Sequence, residues 1–508
     1  MRSPILLANR SLPQAQIALV VAVGATVVVA AGAVAPGYLT SVGIVVIPLG
    51  FTAFLALVAL FLVPVHILPT VALVIFALFP ARILPQEGAL AALPVATVVL
   101  GLWAFRRLLL LHPPFAQHPL ESRSNVGGGT RADGATPIAS LSALSIGARI
   151  CGISFVVWSI VVTLRSVEMQ TSTGWLLSFT AGAILPLLIS DARQEAALIR
   201  KSWIVLGTVF GFYAIGEAIL GSNPVWGQLY AVLGVTDSQH WSVYRAEASF
   251  GHPLIAALFF AVTGVLAIAQ WLTSPSRWPL VAAIVSGLAL IATVSRGPLL
   301  ATAIVIGMAY LAVISLRGYK RWSRVALLAV LGAAGVAALV TNGAFQERNS
   351  SMEAALSSQA RDVGVWVAIQ AANASDWLGT GPGTSGITGR LFDSVVIENS
   401  VLQLLISVGI PGVILFLGMI GCAALQALRC RAIAPAAALT VFLACITSFN
   451  AIDALRPLHL LLGCLLILAL NSTNPPETRV RPKTGRRNSF SSKTLQDLPM
   501  THQTIDSA

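Results

Sequence analysis

The sequence predicts an all-α, polytopic integral membrane protein with about 14 transmembrane helices, within a range of about 12–14. Three observations predict it. Of the 508 residues, 56% are hydrophobic and only 10% charged, where a soluble domain carries about 25% charged residues. Mean hydropathy is +0.84. Apolar runs close to the ~20 residues that cross a bilayer recur along the whole chain. The same numbers exclude a soluble globular enzyme, a disordered protein and a disulfide-rich secreted module.

The runs fall at 16–35, 39–63, 65–80, 88–111, 150–167 and 174–190. They continue at 202–220, 253–272, 279–295, 298–316, 325–341, 399–428, 435–450 and 457–471. Arg2, Arg10 and a late Ala-Gly-Ala give the first run some likeness to a signal peptide. Its apolar stretch exceeds the usual length for one, and many spans follow, so it reads as an uncleaved first span. Pro64 between the second and third runs allows one kinked hairpin there.

Lysine and arginine placement sets the orientation. With the N-terminus cytoplasmic, 23 of the 31 basic residues fall on inner segments and 12 of the 19 acidic residues on outer ones. Both termini are then cytoplasmic. Eight arginines remain outside against the trend: Arg82, Arg165, Arg245, Arg296, Arg348, Arg361, Arg390 and Arg456. The net charge of +12 comes with no basic helix or aromatic-basic platform, so nucleic acid is not an expected partner.

Residues 1–111 form an N-terminal transmembrane bundle and 112–149 a flexible cytoplasmic linker containing Ser-Asn-Val-Gly-Gly-Gly-Thr-Arg. A second bundle covers 150–341, with a short outer loop at 221–252. The long outer loop is 342–398, C-terminal transmembrane helices occupy 399–471, and 472–508 is a basic, disordered cytoplasmic tail suited to anionic lipid headgroups. Within the long loop, Ser350-Ser351-Met352-Glu353 fits a capping box before a short helix. An interrupted apolar face from Val363 to Ala371 suits a second helix lying at the membrane surface. Gly379 to Gly386 is turn-rich, and Glu398-Asn399-Ser400 restarts a helix. Cysteines 151, 422, 430, 445 and 464 form no CxxC or Cys/His cluster and read as small packing residues.

Three clusters carry unusual polarity at the expected outer edge. The first is Tyr244-Arg245-Ala-Glu247-Ala-Ser249-Phe-Gly-His252-Pro253. The second is Ser295-Arg296-Gly297-Pro298, a one-turn break between two spans. The third runs from Arg361-Asp362 and Trp366 through Leu378-Gly-Thr-Gly-Pro-Gly383 to Glu398-Asn399-Ser400 and Ser407-Val-Gly-Ile-Pro-Gly412. In these motifs and their order, from about Arg245 to Asn450, the chain resembles the O-antigen ligase-like family of O-antigen ligases and O-antigen or exopolysaccharide polymerases. Two positions depart from the family pattern: Glu398 stands where the ligases carry His, and Ser407 where many members carry Glu or Asp.

The resemblance implies transfer of a glycan from a polyprenyl-diphosphate carrier to an acceptor hydroxyl on the outer face of the cytoplasmic membrane. It also implies contact with membrane lipids, with a flippase and a chain-length regulator as candidate partners. Breaking the glycosidic bond requires neutralising a departing diphosphate, which guanidinium groups do with bidentate hydrogen bonds. Arg245, Arg296 and Arg361 are the expected clamp, and no cofactor or metal is needed in this scheme. Glu398 is the expected base for the acceptor, alongside Arg296 and Arg361 as catalytic residues. Asn399, Ser295 and His252 are supporting residues. His252 before a proline also fits a purely structural role, and Glu217 near a helix end reads as a solvated or hydrogen-bonded group rather than a catalyst. The departure at Glu398 points to a polymerase ahead of a ligase. A lipid-linked glycan flippase or other transporter, and a non-catalytic scaffold, are the alternatives. Against a transporter, there is no half-to-half repeat and the unusual charges gather at one face.

Overall fold

The computed structural model describes residues 63–80, 93–111, 142–317 and 352–471, apart from 233–234, 236–242, 274–275 and 394–395, with a few positions between 324 and 347. Among the described residues the chain is helical and contains no strand. The spans expected over 16–35 and 39–63, most of 325–341, most of the linker and the basic tail lie outside the described residues.

A 3-10 turn at Val65–Ile67 leads into α1 (Leu68–Leu78). Then come α2 (Val95–Leu111), α3 (Ala143–Thr163), α4 (Met169–Leu188), α5 (Arg193–Leu220) and the short α6 (Trp226–Val232). Next are α7 (Pro253–Thr273), α8 (Trp278–Ala292), α9 (Arg296–Arg317), α10 (Met352–Ala374) and the short α11 (Ser385–Arg390). The last are α12 (Ser400–Arg429), α13 (Ile433–Ile446) and α14 (Leu458–Asn471). Among the described residues, five helices, α3, α4, α5, α7 and α12, are long and apolar enough to cross a membrane. Several others are shorter apolar helices.

α14 explains how a short helix is accommodated. Fourteen residues rise only ~21 Å, less than a bilayer core, but α14 is buried on all sides from Leu458 to Leu468. A helix that is apolar all round is one enclosed by others, here α4, α5, α12 and α13. The closest crossing is with α4. A Cβ on Gly182 would lie 2.9 Å from His459 Cβ, and Gly463 packs on the Gly182 carbonyl. Small residues permit this approach, and α4 adopts a π-helical turn at Thr180–Ile184.

Two boundaries differ from expectation. α3 starts at Ala143, inside the segment read as linker, because Ser142 caps it by accepting the Ser145 N–H. The Ser142 hydroxyl also bonds Gln426 of α12. The two pieces expected in the long loop are one continuous helix, α10. Its Gly364, Val367, Ala368, Ala371 and Ala372 share one buried stripe at i, i+3, i+4 spacing, and Val367, Ala368 and Ala371 pack with Ile397 and Ile406. Antiparallel connections place the ends of α5, α8 and α13 and the starts of α7, α9, α12 and α14 on one face, called here the site face. The opposite face holds an ion pair between a half-buried arginine and a buried glutamate, Arg107 Nη2 to Glu195 Oε1 at 2.7 Å.

Candidate functional site

The site face is assembled from four non-helical segments. The first, 243–250, is buried at nearly every position, so its backbone polar groups need partners. Glu217 at the end of α5 supplies several, accepting from Glu247 N at 3.0 Å, Ala248 N at 2.8 Å and Tyr244 OH at 2.8 Å. Asn223 Nδ2 donates to Ala248 O at 2.9 Å, and Ser249 Oγ to Ala77 O on α1. Ala246 N reaches Ala292 O at 3.1 Å. His252 closes the segment as a cap: its Nδ1 accepts Leu254 N at 3.2 Å at the start of α7.

The second segment is the turn between α8 and α9. Arg245 is 6% exposed. Its Nε donates to Thr293 O at 3.1 Å and its Nη2 to Ser295 Oγ at 3.0 Å. Arg245 thus ties the first segment to the second from beneath, and Ser295 is the residue it grips. Arg296, the first residue of α9, is exposed. Gly297 follows because there is no room for a side chain: a Cβ there would lie 2.6 Å from Ser448 Cβ.

The third segment, 375–384, clasps a break in α12. At Gly409 the helix is interrupted by φ 68, ψ −177, which leaves carbonyls without helical partners. Thr380 N donates to Ile406 O at 2.9 Å, Gly381 N to Ser407 O at 2.9 Å and Trp158 Nε1 to Val408 O at 2.7 Å. In return, Ile410 N donates to Trp377 O at 3.0 Å. The two glycine motifs are therefore the two halves of one backbone-to-backbone contact. Gly379 has φ 97 and a Cβ there would lie 2.6 Å from Ser407 O; Gly409 abuts Trp377 O. Only glycine meets both demands. Pro411 sits in the first turn of the resumed helix, where a missing N–H costs little.

The fourth segment, the turn 448–453 between α13 and α14, joins the other three. Ser400 Oγ donates to Phe449 O at 2.8 Å and accepts Ala451 N at 2.7 Å and Ile452 N at 3.2 Å. Ile452 O is bonded by Trp175 Nε1 at 3.0 Å and His459 Nε2 at 2.8 Å. A carbonyl only accepts, so His459 carries its proton on Nε2 and its Nδ1 accepts from Ser178 Oγ at 3.0 Å. Asp453, 3% exposed, accepts Gly383 N at 2.8 Å, Ser385 N at 3.1 Å and Ser407 Oγ at 2.7 Å. Burial pushes its carboxyl above the ordinary range, and the hydrogen bonds from Ser385, Ser407 and Gly383 oppose that.

Arg361 on α10 pairs with Glu398 at 3.4 Å; their side chains are 57% and 34% exposed. Asn399 caps α12, its Oδ1 accepting Val401 N at 2.9 Å and Leu402 N at 3.2 Å. The turn 448–453 brings the two groups of arginines near one another. Gly297 abuts Ser448, and Phe449 bonds Ser400. That path from the Cα of Gly297 to the Cα of Ser400 is no longer than about 17 Å. Arg296 and the Arg361–Glu398 pair are exposed at this rim, while Arg245 lies beneath it. Asp453, His459 and the organising role of Glu217 were missed in the sequence. An aspartate and a histidine six residues apart, flanking the start of an otherwise apolar run, were the available signal. An apolar pocket of about 270 Å³ opens on the same face, lined by Phe76, Phe79, Phe250, Ile255, Leu455 and Leu458 among others.

Residues 280–417 match the family model described as O-Antigen ligase. That stretch contains α9, α10 and α11 and the first part of α12, with the motifs at 295–297, 361, 378–383 and 398–412. No curated protein matches the chain.

Proposed function

With residues 280–417 carrying the match to the O-antigen ligase family, a family of ligase- and polymerase-type membrane enzymes, we propose that the chain transfers a glycan from a polyprenyl-diphosphate carrier to an acceptor hydroxyl on the outer face of the cytoplasmic membrane. We assign it as a polysaccharide polymerase, because Glu398 replaces the histidine that the ligases carry.

In this reading the acceptor oxygen attacks the sugar carbon bonded to the diphosphate, and the electron pair of the broken bond leaves on the diphosphate. Arg296 and Arg361, both exposed at the rim, neutralise that charge through charge-assisted hydrogen bonds. Arg245, committed to Thr293 and Ser295, adds positive charge from below and fixes the residue next to Arg296. The acceptor proton passes to Glu398. The Arg361–Glu398 pair couples the two roles, since a diphosphate that engages Arg361 competes with Glu398 for it. A carboxylate released from its ion pair is a better base. The apolar pocket beside Phe250 and Leu455 suits the first isoprene units of the carrier.

The observation that carries the proposal is the joining of the Ser295-Arg296-Gly297 turn and the Glu398–Ser400 helix start by one turn, through Gly297 against Ser448 and Ser400 against Phe449. The test is Arg296→Ala and Arg361→Ala, with glycan chain length followed in the producing strain. Loss of long polymer with precursor accumulating outside is the expected result. Precursor accumulating inside would favour a transporter. Unchanged polymer in both variants would remove the clamp.

A further inference from the structure

Eight outer arginines run against the positive-inside trend, and the clamp uses three of them. Arg456 is one of the other five. It is half-buried, in the short connection between the 448–453 turn and α14. Its chain neighbours Leu455 and Pro457 both line the apolar pocket, as does Leu458, and neighbouring Cα atoms lie only about 3.8 Å away. Its Nη2 donates to Thr171 O at 3.3 Å, at the outer end of α4. Deeper in the bundle α2 lies beside α4, where a Cβ on Gly101 would be 3.2 Å from Ala181 Cβ. The outer start of the same α2, at Val95 and Ala96, lines the pocket. Arg456 thus begins between two pocket walls and reaches the outer end of α4.

One peptide joins this arginine to the clamp. At its far end Ser448 abuts Gly297, the residue after Arg296. Between them Ala451 N donates to Phe449 O at 3.0 Å and Leu455 N to Ala451 O at 2.8 Å, which folds the stretch into two short turns. The wall therefore has the Arg296 turn at one end and Arg456 with the apolar pocket at the other. The acidic groups facing Arg456 are Asp453 and Glu168. Asp453 already accepts from Gly383, Ser385 and Ser407, and Glu168 is exposed, so neither needs a guanidinium to satisfy it.

A guanidinium stays charged and suits phosphate oxygens, while the pocket beside it is lined only by apolar side chains. That combination matches a molecule whose phosphate is joined directly to a hydrocarbon chain. Resting on the transferase reading above, we propose that Arg456 binds the phosphate attached to the isoprenoid, with the first isoprene units in the pocket, while Arg296 and Arg361 hold the phosphate attached to the sugar. The two sets then have different duties. The bond that breaks joins the sugar to its own phosphate, so new charge appears at Arg296 and Arg361. The phosphate at Arg456 is charged before and after. Arg456 therefore favours ground state and transition state alike, and such uniform binding lowers KM without raising kcat. Arg456 lies beyond the family match, which ends at 417.

The test uses the full chain in phosphatidylcholine nanodiscs with polyprenol, polyprenyl monophosphate and polyprenyl diphosphate as probes. Arg456→Gln should weaken both phosphate lipids by about tenfold and leave polyprenol binding unchanged. Arg456→Lys, which keeps the charge without the fork, should recover part of the loss. Arg296→Ala should weaken the diphosphate alone. In transfer from the lipid-linked glycan, Arg456→Gln should raise KM and leave kcat within about twofold. Equal weakening of all three lipids would show that Arg456 only shapes the pocket, and overturns the proposal. So does an Arg456→Gln protein that binds the monophosphate as the wild type does. Phosphatidylglycerol added to the nanodiscs identifies the source of the phosphate. If it erases the difference between wild type and Arg456→Gln, the arginine serves a bulk lipid headgroup and the carrier assignment falls. Failure of the clamp is separable: if Arg296→Ala and Arg361→Ala leave polymer unchanged while Arg456→Gln still weakens the monophosphate, the clamp falls and the lipid-side contact stands.

Discussion

Asp453 offers the sharpest test of how the site is held. Three of the donors to its carboxylate are the backbone N–H groups of Gly383 and Ser385 and the Ser407 hydroxyl, at 2.7 to 3.1 Å, and the Ser385 side chain adds a further hydrogen bond. Asp453→Ala leaves those three donors in a buried place. At about 1–3 kcal/mol for each unsatisfied group, the loss is ~3–9 kcal/mol, less whatever entering water restores. Asp453→Asn loses less. Its single oxygen can replace either Oδ1 or Oδ2, and in both orientations one backbone N–H faces the amide nitrogen, so the cost is about 1–3 kcal/mol. Ser407→Ala removes one donor to a charged acceptor and costs about 1.5–3 kcal/mol. The assay is thermal unfolding of the purified protein in detergent, with polymer length in the producing strain alongside. Asp453→Ala should be the least stable of the three and should lose polymer. The pH dependence has a definite sign. A carboxyl raised in the folded state holds its proton more tightly there than when unfolded, so its contribution to stability declines as pH rises from about 4 through the folded value. The gap between wild type and Asp453→Asn should narrow across that window. An Asp453→Ala protein that melts with the wild type would refute the account of the turn as the join between the four segments.

Gly379→Ala and Gly409→Ala should each abolish recovery of monodisperse protein, because positive φ and backbone contact combine at both positions; the expected cost exceeds ~4 kcal/mol. Gly386→Ala is the control, since nothing lies within 4 Å of a Cβ there, and it should behave as wild type in size-exclusion chromatography. Glu398→Gln should lower transfer by about 10²–10⁴-fold with little change in melting, because so exposed a pair contributes only about 0–1 kcal/mol; equal losses of activity and stability would deny Glu398 the role of base. Arg245→Ala should reduce both, by removing the donor shared by Thr293 O and Ser295 Oγ and leaving only their mutual bond at 3.2 Å, and Arg245→Lys should restore melting only in part, since an ammonium lacks the fork that reaches both acceptors.

Hydrophobic run length located most of the described helices to within a few residues, because apolar length is a local property. The cap at Asn399 was legible for the same reason: it bonds N–H groups two and three residues away. The glycine run at 379–386 was legible as a turn, but the break at Gly409 was not, since it lay inside the span expected at 399–428, and nothing in residues 378–383 states that they lie against 406–410. The same limit hid the burial of Arg245, whose acceptors lie 48 and 50 residues on. Asp453 was passed over as one acidic residue between two apolar runs; its importance comes from donors supplied by two distant segments. The long-loop helix was split because its buried stripe of glycine, valine and alanine is too small-sided to read as a strong apolar face.

The 448–453 turn has a practical consequence for engineering. The family match stops at 417, and a designer swapping this region between homologues would be tempted to cut there. Such a chimera would separate Ser400 and Ser407 from the host peptide they lock onto at 449–453. The donor and recipient sequences would each be intact, and the graft would still lack its latch. Exchange is safer with a breakpoint after Asn471, so that the transplanted piece brings its own counterpart.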